Sequence, residues 1–150
     1  MSCFTTGVTV VTAHTQGQDW GMTCNSFNTV SLDPAMVLWS VRKASLSHKA
    51  FIHAGGYMVN VLGAQQKDVA LKFAQGTQTD RFADQHLVRG VNQHPRLEAV
   101  IAWFDCRIAQ VVSAGDHDIL IGEVLDFGVH AGHGLAYAQR SFGVLAPFED

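Results

Sequence analysis

The sequence is poor in cysteine, in charge and in long apolar runs. Its three cysteines are spread over 150 residues and form no CxxC pair, which argues against a disulfide framework or a zinc site and favours a reducing cytoplasm. Only 15% of the residues are charged, and the net charge of −3 includes no block of one sign. Neither nucleic acid nor an anionic membrane is therefore expected as the main partner. A surface with so little charge suggests that another subunit covers part of it.

Several targeting and binding motifs are missing as well. No apolar run approaches the roughly 18 residues of a membrane helix, and Met1–Gly7 has neither the basic region nor the apolar region of a signal peptide. No G-x-G-x-x-G follows a predicted strand, and there is no phosphate-binding G-x-x-x-x-G-K-[ST] loop and no nucleophile elbow. The length suits one domain with a full core, so we expect residues 1–150 to form a single domain.

Runs of β-branched and apolar residues predict a mainly β fold. Val8–Ala13 is rich in β-branched residues, and Met36–Val41 is apolar at nearly every position, as a strand buried on both faces would be. Val100–Val112 alternates between an apolar face and a mixed face. After a tight turn at Ala114–Asp118, Ile119–Val129 is expected to pair back as the second arm of a long hairpin. Two more strand-like segments follow the same logic: Tyr57–Leu62 and the closing segment Tyr137–Leu145.

Short helices are predicted between some of these strands. Ala44–Ile52 has helical character, with Ser45 or Ser47 as the N-cap and Gly55-Gly56 as the stop. Gln65–Phe73 has helical spacing, whereas residues 75–95 are polar and predict a loop with about one turn of helix around Phe82. Six or seven strands joined mostly by turns favour an antiparallel barrel with a few helices over a doubly wound parallel sheet.

The polar stretch Gly21–Phe27 is the first candidate site. Between its glycine and its aromatic ring it carries four short polar side chains: Thr23, Cys24, Asn25 and Ser26. Backbone N–H groups ordered by the fold could hold a flat, polar ring such as an isoalloxazine, which needs donors near N5 and O4. A polar loop at a strand end, with Phe27 in the core, explains the same residues equally well.

The segment Ser40-Val41-Arg42-Lys43-Ala44-Ser45 is the second candidate. A strand here ends in two cations and enters a helix that begins with a serine. Free N–H groups at a helix start attract phosphate, and Arg42 could add bidentate hydrogen bonds. A solvated charge pair at a strand end is the simpler explanation of Arg42 and Lys43 taken alone.

Two basic side chains in turns or loops complete the candidates. Arg81 stands beside Phe82 in a polar loop, with Lys72 not far upstream, and could reach a ligand phosphate. His117, in the turn Gly115-Asp116-His117, could hydrogen-bond a nicotinamide or stack beside it. A surface arginine and an ordinary turn histidine are the alternatives.

Two other signals are discounted. His130 and His133 have the spacing of metal ligands but no cysteine and no clear carboxylate partner, so we predict no metal site. Cys24 is interpreted as a structural thiol because no neighbouring base can be assigned to it.

Taken in order, these segments resemble the flavin reductase-like, FMN-binding split-barrel family, the short reductase components of two-component flavin monooxygenases. The resemblance extends from about residue 5 to residue 145 and is carried by the order and spacing of several segments: Thr6–Thr12, Gly21–Phe27, Val30–Pro34, Val59–Leu62 with Gln65 or Gln66, Phe73-Ala74, Arg81-Phe82, Gly115–His117 and Ile121–Val124.

The resemblance implies a mainly β fold with short helices, namely a six-stranded antiparallel split barrel of Greek-key topology that works as a homodimer. It places Thr23, Cys24, Asn25, Ser26 and Phe27 against the flavin ring and ribityl chain. It assigns the phosphate end to Ser40, Val41, Arg42, Ser45, Arg81 and Phe82. It puts His117 at the nicotinamide side as the catalytic residue, with Tyr137 and Arg140 at the outer edge of the NAD(P)H pocket.

The sequence departs from the family in two places. Members usually carry an extra helix ahead of the Thr6-Gly7-Val8 strand, and here almost nothing precedes that strand. Either the native chain is longer than this sequence, or this helix is short or missing. Members more often have serine or alanine where Cys24-Asn25 stand.

The implied activity is hydride transfer from NADH or NADPH to FMN or FAD, with the reduced flavin leaving for a separate oxygenase in the cytoplasm. No arginine cluster for a 2′-phosphate is evident, which favours NADH. A pyridoxamine-phosphate-oxidase-like enzyme would need a second basic cluster, which is also not evident. A non-catalytic FMN-binding electron carrier or sensor on the same barrel remains the alternative.

Overall fold

Strands make up most of the fold. The structure is a computed structural model that describes residues 2–149. In these residues there are three short helices, α1 (His48–Ala54), α2 (Lys67–Lys72) and α3 (Gln78–Phe82). The strands are β1 (Thr6–Gly7), β2 (Thr9–Thr15), β3 (Gln18–Cys24), β4 (Asn28–Leu32), β5 (Ala35–Arg42), β6 (Gly56–Val61), β7 (Leu87–Arg89), β8 (Pro95–Leu97), β9 (Ala102–Ala114), β10 (His117–Val129), β11 (Leu135–Ala138) and β12 (Ser141–Val144).

One large antiparallel sheet organises the molecule. Its strand order is β3-β2-β6-β9-β10-β5-β4, and every pairing in it is antiparallel. The predicted mainly β, antiparallel architecture with few short helices is thus confirmed, although the main sheet has seven strands and not six.

The sheet is strongly curled. One buried cluster unites side chains from strands near both ends of the strand order, such as Cys24 of β3 and Trp39 of β5, with Tyr57 of β6 between them. The Trp39 ring makes edge contacts with Phe51 at 4.8 Å and with Tyr57 at 5.9 Å between centroids. Since residues far apart in the strand order share one core, the sheet wraps around that core.

The long hairpin β9–β10 lies in the middle of the main sheet. Each arm has 13 residues, and two register shifts, between Ile121 and Gly122 and between Val124 and Asp126, bend the pair. The predicted strand bounds were close, but β9 begins two residues later than expected and β10 already begins at His117, so the turn itself contains only Gly115 and Asp116.

A second core lies under the helices. Phe73 is fully buried there with Leu62 and Ala70, and Phe82 packs edge-on against Phe73 at 5.1 Å between ring centroids. The α3 helix confirms the predicted helical turn around Phe82. It begins with a capping box in which the Thr77 hydroxyl accepts from the Asp80 N–H and the Asp80 carboxylate accepts from the Thr77 N–H.

Two small sheets correct the sequence interpretation. The segment Tyr137–Leu145 was expected to close the fold as one strand, but β11 and β12 form a hairpin on which β1 also pairs. Residues 75–95 were expected to hold no strand, yet β7 pairs with β8.

One polar residue on the mixed face of β9 is buried and not exposed. Asp105 is fully buried there because the loop after β7 covers it, and the Val91 N–H donates to its Oδ2 at 3.0 Å. Burial raises the pKa of this carboxyl group.

Candidate functional site

Two adjoining cavities form a groove along the outer edge of β3. The first, of about 700 Å³, is lined by Trp20, Met22, Thr23, Ser45, Leu46, Ser47, Phe73, Ala74, Gly76, Thr77, Gln78 and Arg81. The second, of about 370 Å³, is lined by Val8, Thr23, Cys24, Asn25, Ala70, Leu71, Ala74, Tyr137, Arg140 and Phe142. Both include Thr23 and Ala74, so the cavities meet there. Seven of the residues predicted from sequence thus line these two cavities: Thr23, Cys24, Asn25, Ser45 and Arg81, with Tyr137 and Arg140 at the far end.

The first cavity depends on a clamp on Gly21. The Gly21 N–H donates to Gln78 Oε1 at 2.9 Å, and Arg81 Nη1 donates to the Gly21 carbonyl at 2.8 Å. Because β3 is the edge strand of the main sheet, these two side chains of α3 occupy backbone groups that would otherwise lack a strand partner. Arg81 also donates from Nε to the Gln75 carbonyl at 3.0 Å, and burial lowers the pKa of its guanidinium.

The absence of a side chain at Gly21 permits this packing. A Cβ at that position would lie 2.7 Å from Phe73 Cε1 and 3.0 Å from Phe82 Cζ. Glycine therefore lets α2 and α3 approach β3 closely enough to form the wall of the groove.

The polar groups of Thr23 are used inside the protein. Its N–H donates to the Phe73 carbonyl at 3.1 Å, and its hydroxyl donates to the Ala70 carbonyl at 2.5 Å. Thr23 thus fixes α2 against β3 where the two cavities meet. Asn25 is exposed beside it at the mouth of the second cavity, and its side chain has no hydrogen bond to any residue from 2 to 149.

Six of the predicted flavin-contacting residues do not line either cavity, namely Ser26, Phe27, Ser40, Val41, Arg42 and Phe82. Ser26 Oγ accepts from the Ser40 N–H at 2.9 Å and lies 3.1 Å from the Cys24 sulfur, so the Ser26 and Ser40 contacts join the end of β3 to β5. Phe27 stacks on Phe104 at 5.6 Å between centroids, and Val41 is fully buried. On β5 the side chains alternate between faces, so Val41 points into the core while Ser40 contributes its backbone groups to the contact with Ser26.

The segment before α1 borders the first cavity. Ser45 lines it, the Ser47 N–H donates to Ser45 Oγ at 3.2 Å, and Ser47 Oγ accepts from Gln78 Nε2 at 3.1 Å. Of the two predicted caps, Ser47 holds the N-cap position, although its side chain makes no capping bond and the helix begins at His48, later than predicted.

Arg42 and His117 are directly opposite each other on β5 and β10. Arg42 is exposed, and its carbonyl accepts from the Ser45 N–H at 3.0 Å. His117 Nδ1 lies 2.7 Å from a carboxylate oxygen of the exposed Asp116. Neither side chain lines the two cavities, but both lie beside the Ser45 end of the groove, since the Lys43 N–H donates to the Asp116 carbonyl at 2.9 Å.

The far end of the groove is formed by the β11–β12 hairpin. Its turn residues Gln139 and Arg140 have φ values of 50° and 63°, which fits a tight two-residue hairpin turn. The Tyr137 and Phe142 rings pack at 5.1 Å between centroids and close the second cavity.

Several groove residues were missed from sequence. Gln78 and Phe142 carry no motif of their own, and Ala74 belongs to a segment of the family resemblance but was given no role. Only the capping box at Thr77 and Asp80 could have indicated the start of the helix that presents Gln78. Lys72 donates to the Ala83 carbonyl at 2.5 Å and does not line the groove. Phe82, predicted at the phosphate end, packs against Phe73 behind the groove wall.

A separate cavity of about 360 Å³, lined by residues including Arg96, Glu98 and His130, contains none of the predicted site residues. Within residues 2–149 no group of three or more His, Cys, Asp or Glu side chains could hold a metal ion. None of the helices in this part of the chain is long and apolar enough to cross a membrane.

Comparisons with known proteins agree on one family. The model of the family described as "Flavin reductase like domain" matches residues 1–146. The chain is 44% identical over 140 residues to the "Flavin-dependent trigonelline monooxygenase, reductase component" of Acinetobacter baylyi, a match that covers 93% of this chain and 45% of that protein. It is 41% identical over 143 residues to the "FMN reductase (NADH) SmoA" of Agrobacterium fabrum, with 95% of this chain and 81% of that protein covered.

A solved structure is similarly close. The Streptomyces globisporus "NADH:FAD oxidoreductase SgcE6 in complex with NAD and FAD fragments" superposes with a TM-score of 0.92 at 34% identity, and the match covers 99% of this chain and 90% of that one. The chain spans about half the length of some of the relatives that it matches.

Proposed function

The chain belongs to the flavin reductase-like domain family, as the resemblance predicted, and from this premise we propose that it transfers hydride from NAD(P)H to FMN or FAD. The observation that carries the proposal is the pair of neighbouring cavities along β3 that share Thr23 and Ala74 in their walls. Relatives named FMN reductase (NADH) and NADH:FAD oxidoreductase support the same reaction. They also favour NADH as the donor, which agrees with the absence of an arginine cluster for a 2′-phosphate.

The residues of the groove fit a flavin. Its walls are largely apolar and aromatic, with Trp20, Met22 and Phe73 in one cavity and Tyr137 and Phe142 in the other. Polar groups are concentrated towards the two ends. This is the usual make-up of a site for a flat ring system with a polar tail, which needs a dry surface for the ring and a few fixed donors for orientation.

In this proposal the Ser45 end of the groove holds the phosphate of the flavin. Ser45 and Arg81 both line the first cavity, and Arg81 is fixed by its hydrogen bonds to Gly21 and Gln75. A guanidinium that is already held by the backbone loses little conformational entropy when it accepts an anionic partner. Arg42, adjacent through its carbonyl contact with Ser45, adds positive charge at the same end.

The ring is proposed to lie along β3, near Thr23, Cys24 and Asn25. Bound flavin supplies the hydride-accepting chemistry; the chain's own residues need only position the two rings within about 3–3.5 Å and exclude water. No strong acid or base is required, which matches a groove formed by amides, hydroxyl groups and apolar side chains. Ser26, Phe27, Ser40 and Val41, proposed from the family resemblance as flavin contacts, would act through the backbone or through the shape of the β3–β5 junction.

His117, Tyr137 and Arg140 are proposed to serve the nicotinamide nucleotide. Tyr137 and Arg140 line the second cavity, where the exposed guanidinium is available to an anionic group. His117 is half-exposed at the start of β10, beside the Ser45 end, and a neutral imidazole there could donate to the nicotinamide amide. The choice between FMN and FAD stays open in this proposal.

We further propose that the reduced flavin leaves for a separate oxygenase, as the names of several relatives suggest for those proteins. The alternative is an FMN-binding electron carrier or sensor that keeps its flavin. The openness of the groove, whose residues Asn25, Leu71 and Ala74 are exposed, supports release over retention. Residues 1–150 would act as one domain in the cytoplasm.

A homodimeric split barrel is the proposed assembly. The curled sheet, whose first and last core strands share one cluster, supports the barrel. Large apolar side chains exposed on its surface support a covered face, among them Leu32, which is 93% exposed, and Phe127, which is 63% exposed. Exposed apolar area of this kind is typical of protein–protein contact.

The experiment that tests this function is steady-state turnover. The pure protein is mixed with NADH, with and without a large excess of free FMN or FAD, and absorbance at 340 nm is followed. The proposal predicts many turnovers that depend on added flavin. Bound yellow flavin with no turnover would favour the carrier.

A further inference from the structure

We propose that His48 and Asp118 form a positioning pair that holds the His117 turn in place against the Ser45–Ser47 end of the groove. His48 Nε2 and Asp118 Oδ2 are 2.6 Å apart, although 70 residues separate them in the chain. Both side chains are largely shielded, with 18% and 13% of their side-chain surface exposed. This inference rests on the proposed function and assigns a role to two residues that the proposal above does not use.

The pair connects two parts of the proposed site. His48 is the first residue of α1 and follows the Ser45–Ser47 segment that borders the first cavity. Asp118 is the second residue of β10 and follows His117. A short, shielded hydrogen bond between them fixes the distance between the phosphate end and the start of the hairpin strand.

The direct contacts of His117 are weaker than this bond. Its ring touches Asp116, whose side chain is 89% exposed, and exposed ion pairs contribute little. Lys43 also ties the turn to the segment before α1, through Gly115 at 3.0 Å, but this contact too is exposed. Because successive side chains of a strand point to opposite faces, an anchored Asp118 also fixes the direction in which His117 points.

The pair extends a continuous series of contacts from the flavin groove. Gln78 accepts from the Gly21 N–H and donates to Ser47 Oγ, and Ser47 is followed by His48, which contacts Asp118. The series thus runs from the edge of β3, through the start of α1, to the start of β10. Energetic coupling between distant parts of a protein is carried by such chains of hydrogen bonds and packed elements.

The test uses four variants and separates positioning from folding. His48→Ala removes the contact, His48→Gln keeps a donor that can reach Asp118, and Asp118→Asn keeps an acceptor. His53→Ala, at the exposed other end of the same helix, is the matched control. For each protein the flavin Kd, the kcat and KM for NADH at saturating flavin, and the melting temperature are measured.

The expected result is a loss of kcat without a matching loss of flavin affinity. A misplacement of reacting groups by about 1 Å can cost roughly 100-fold in rate, so His48→Ala should lower kcat by about tenfold or more while the flavin Kd changes less than about twofold. His48→Gln and Asp118→Asn should recover most of the rate, and His53→Ala should match the wild type.

Two results would overturn the positioning role. One is a kcat for His48→Ala within about twofold of wild type. The other is a parallel loss of kcat and flavin affinity that His48→Gln does not recover, which would make the pair purely structural. Failure of the proposed function itself is distinguishable, since the wild-type protein would then show no flavin-dependent NADH oxidation at all.

Discussion

Replacing Gly21 with alanine tests how the groove is held together. The new Cβ would lie 2.7 Å from one carbon of the Phe73 ring and 2.9 Å from a second, whereas ordinary contacts begin near 3.4 Å, so the ring would have to move by about 0.7 Å. Phe73 is fully buried and packs against Phe82, which leaves little room for that movement. Gly21 is also held on both sides, by Gln78 and Arg81, so β3 cannot simply retreat.

The expected cost is that of an overpacked core. Inserting one methyl group into a well-packed site typically destabilises a protein by about 1–3 kcal/mol, and 2 kcal/mol corresponds to a fall of roughly 4–8 °C in Tm for a domain of this size. Urea unfolding followed by tryptophan fluorescence measures the free energy directly. Flavin affinity should fall as well, because the displaced Phe73 ring and Thr23 both line the first cavity.

A matched glycine supplies the control. At Gly143 an added Cβ meets nothing within 4 Å, so Gly143→Ala should change the free energy of unfolding by no more than a few tenths of a kcal/mol. If Gly21→Ala were as stable as Gly143→Ala, the close packing of α2 and α3 on β3 would be refuted as the origin of the groove.

Three further predictions follow from the site and the core. Arg81→Ala should raise the flavin Kd by the equivalent of about 1.5–3 kcal/mol, the range for a charge-assisted hydrogen bond; unchanged flavin fluorescence titrations would remove Arg81 from the site. His117→Ala should slow NADH oxidation much more than it weakens flavin binding, and equal losses in stopped-flow and binding assays would make His117 structural. His94, which is 2% exposed and accepts the His14 N–H at 3.0 Å, has its pKa lowered by burial to about 4. Because the unfolded chain protonates this imidazole near pH 6.5 and the native state does not, stability should fall by about 3 kcal/mol as the pH drops from 6.5 to 4; an equal pH dependence in His94→Asn, measured by urea unfolding, would contradict this assignment.

Long strands with a regular apolar pattern could be predicted from the sequence, whereas several short or exposed strands could not. Strands β2 and β5 and the long hairpin β9–β10 carry regular apolar patterns, and their positions were confirmed within about two residues. Strand β4 is exposed at four of its five positions, so Asn28–Leu32 shows no apolar periodicity and was not predicted as a strand. The β11–β12 hairpin turns at Gln139-Arg140 without the glycine or asparagine that usually marks such a turn.

The sequence drew attention to one segment of the candidate site, but not to the contacts that hold this segment in place. Short polar side chains are dense after Gly21, and three of them, Thr23, Cys24 and Asn25, line the second cavity; their role at a flavin stays a prediction. The use of those groups was less predictable: Thr23 donates to α2, and Gln78, which is 57 residues from Gly21, completes the clamp. Contacts between segments so distant in the chain leave no local pattern in a single sequence.

The most direct test of the central claim is an anaerobic count of flavin equivalents reduced per protein molecule. Excess NADH is added to the protein with a large excess of FMN or FAD, and bleaching near 450 nm is followed for wild type, Ala74→Phe and Ala131→Phe. Ala74 is exposed where the two cavities meet, so a phenylalanine there should block the groove without unfolding the chain, whereas Ala131 lines a separate cavity. Flavin-dependent turnover in this groove should reduce many flavin equivalents per protein molecule in wild type and Ala131→Phe, and almost none in Ala74→Phe. A single equivalent in wild type, or an undiminished count in Ala74→Phe, would contradict it.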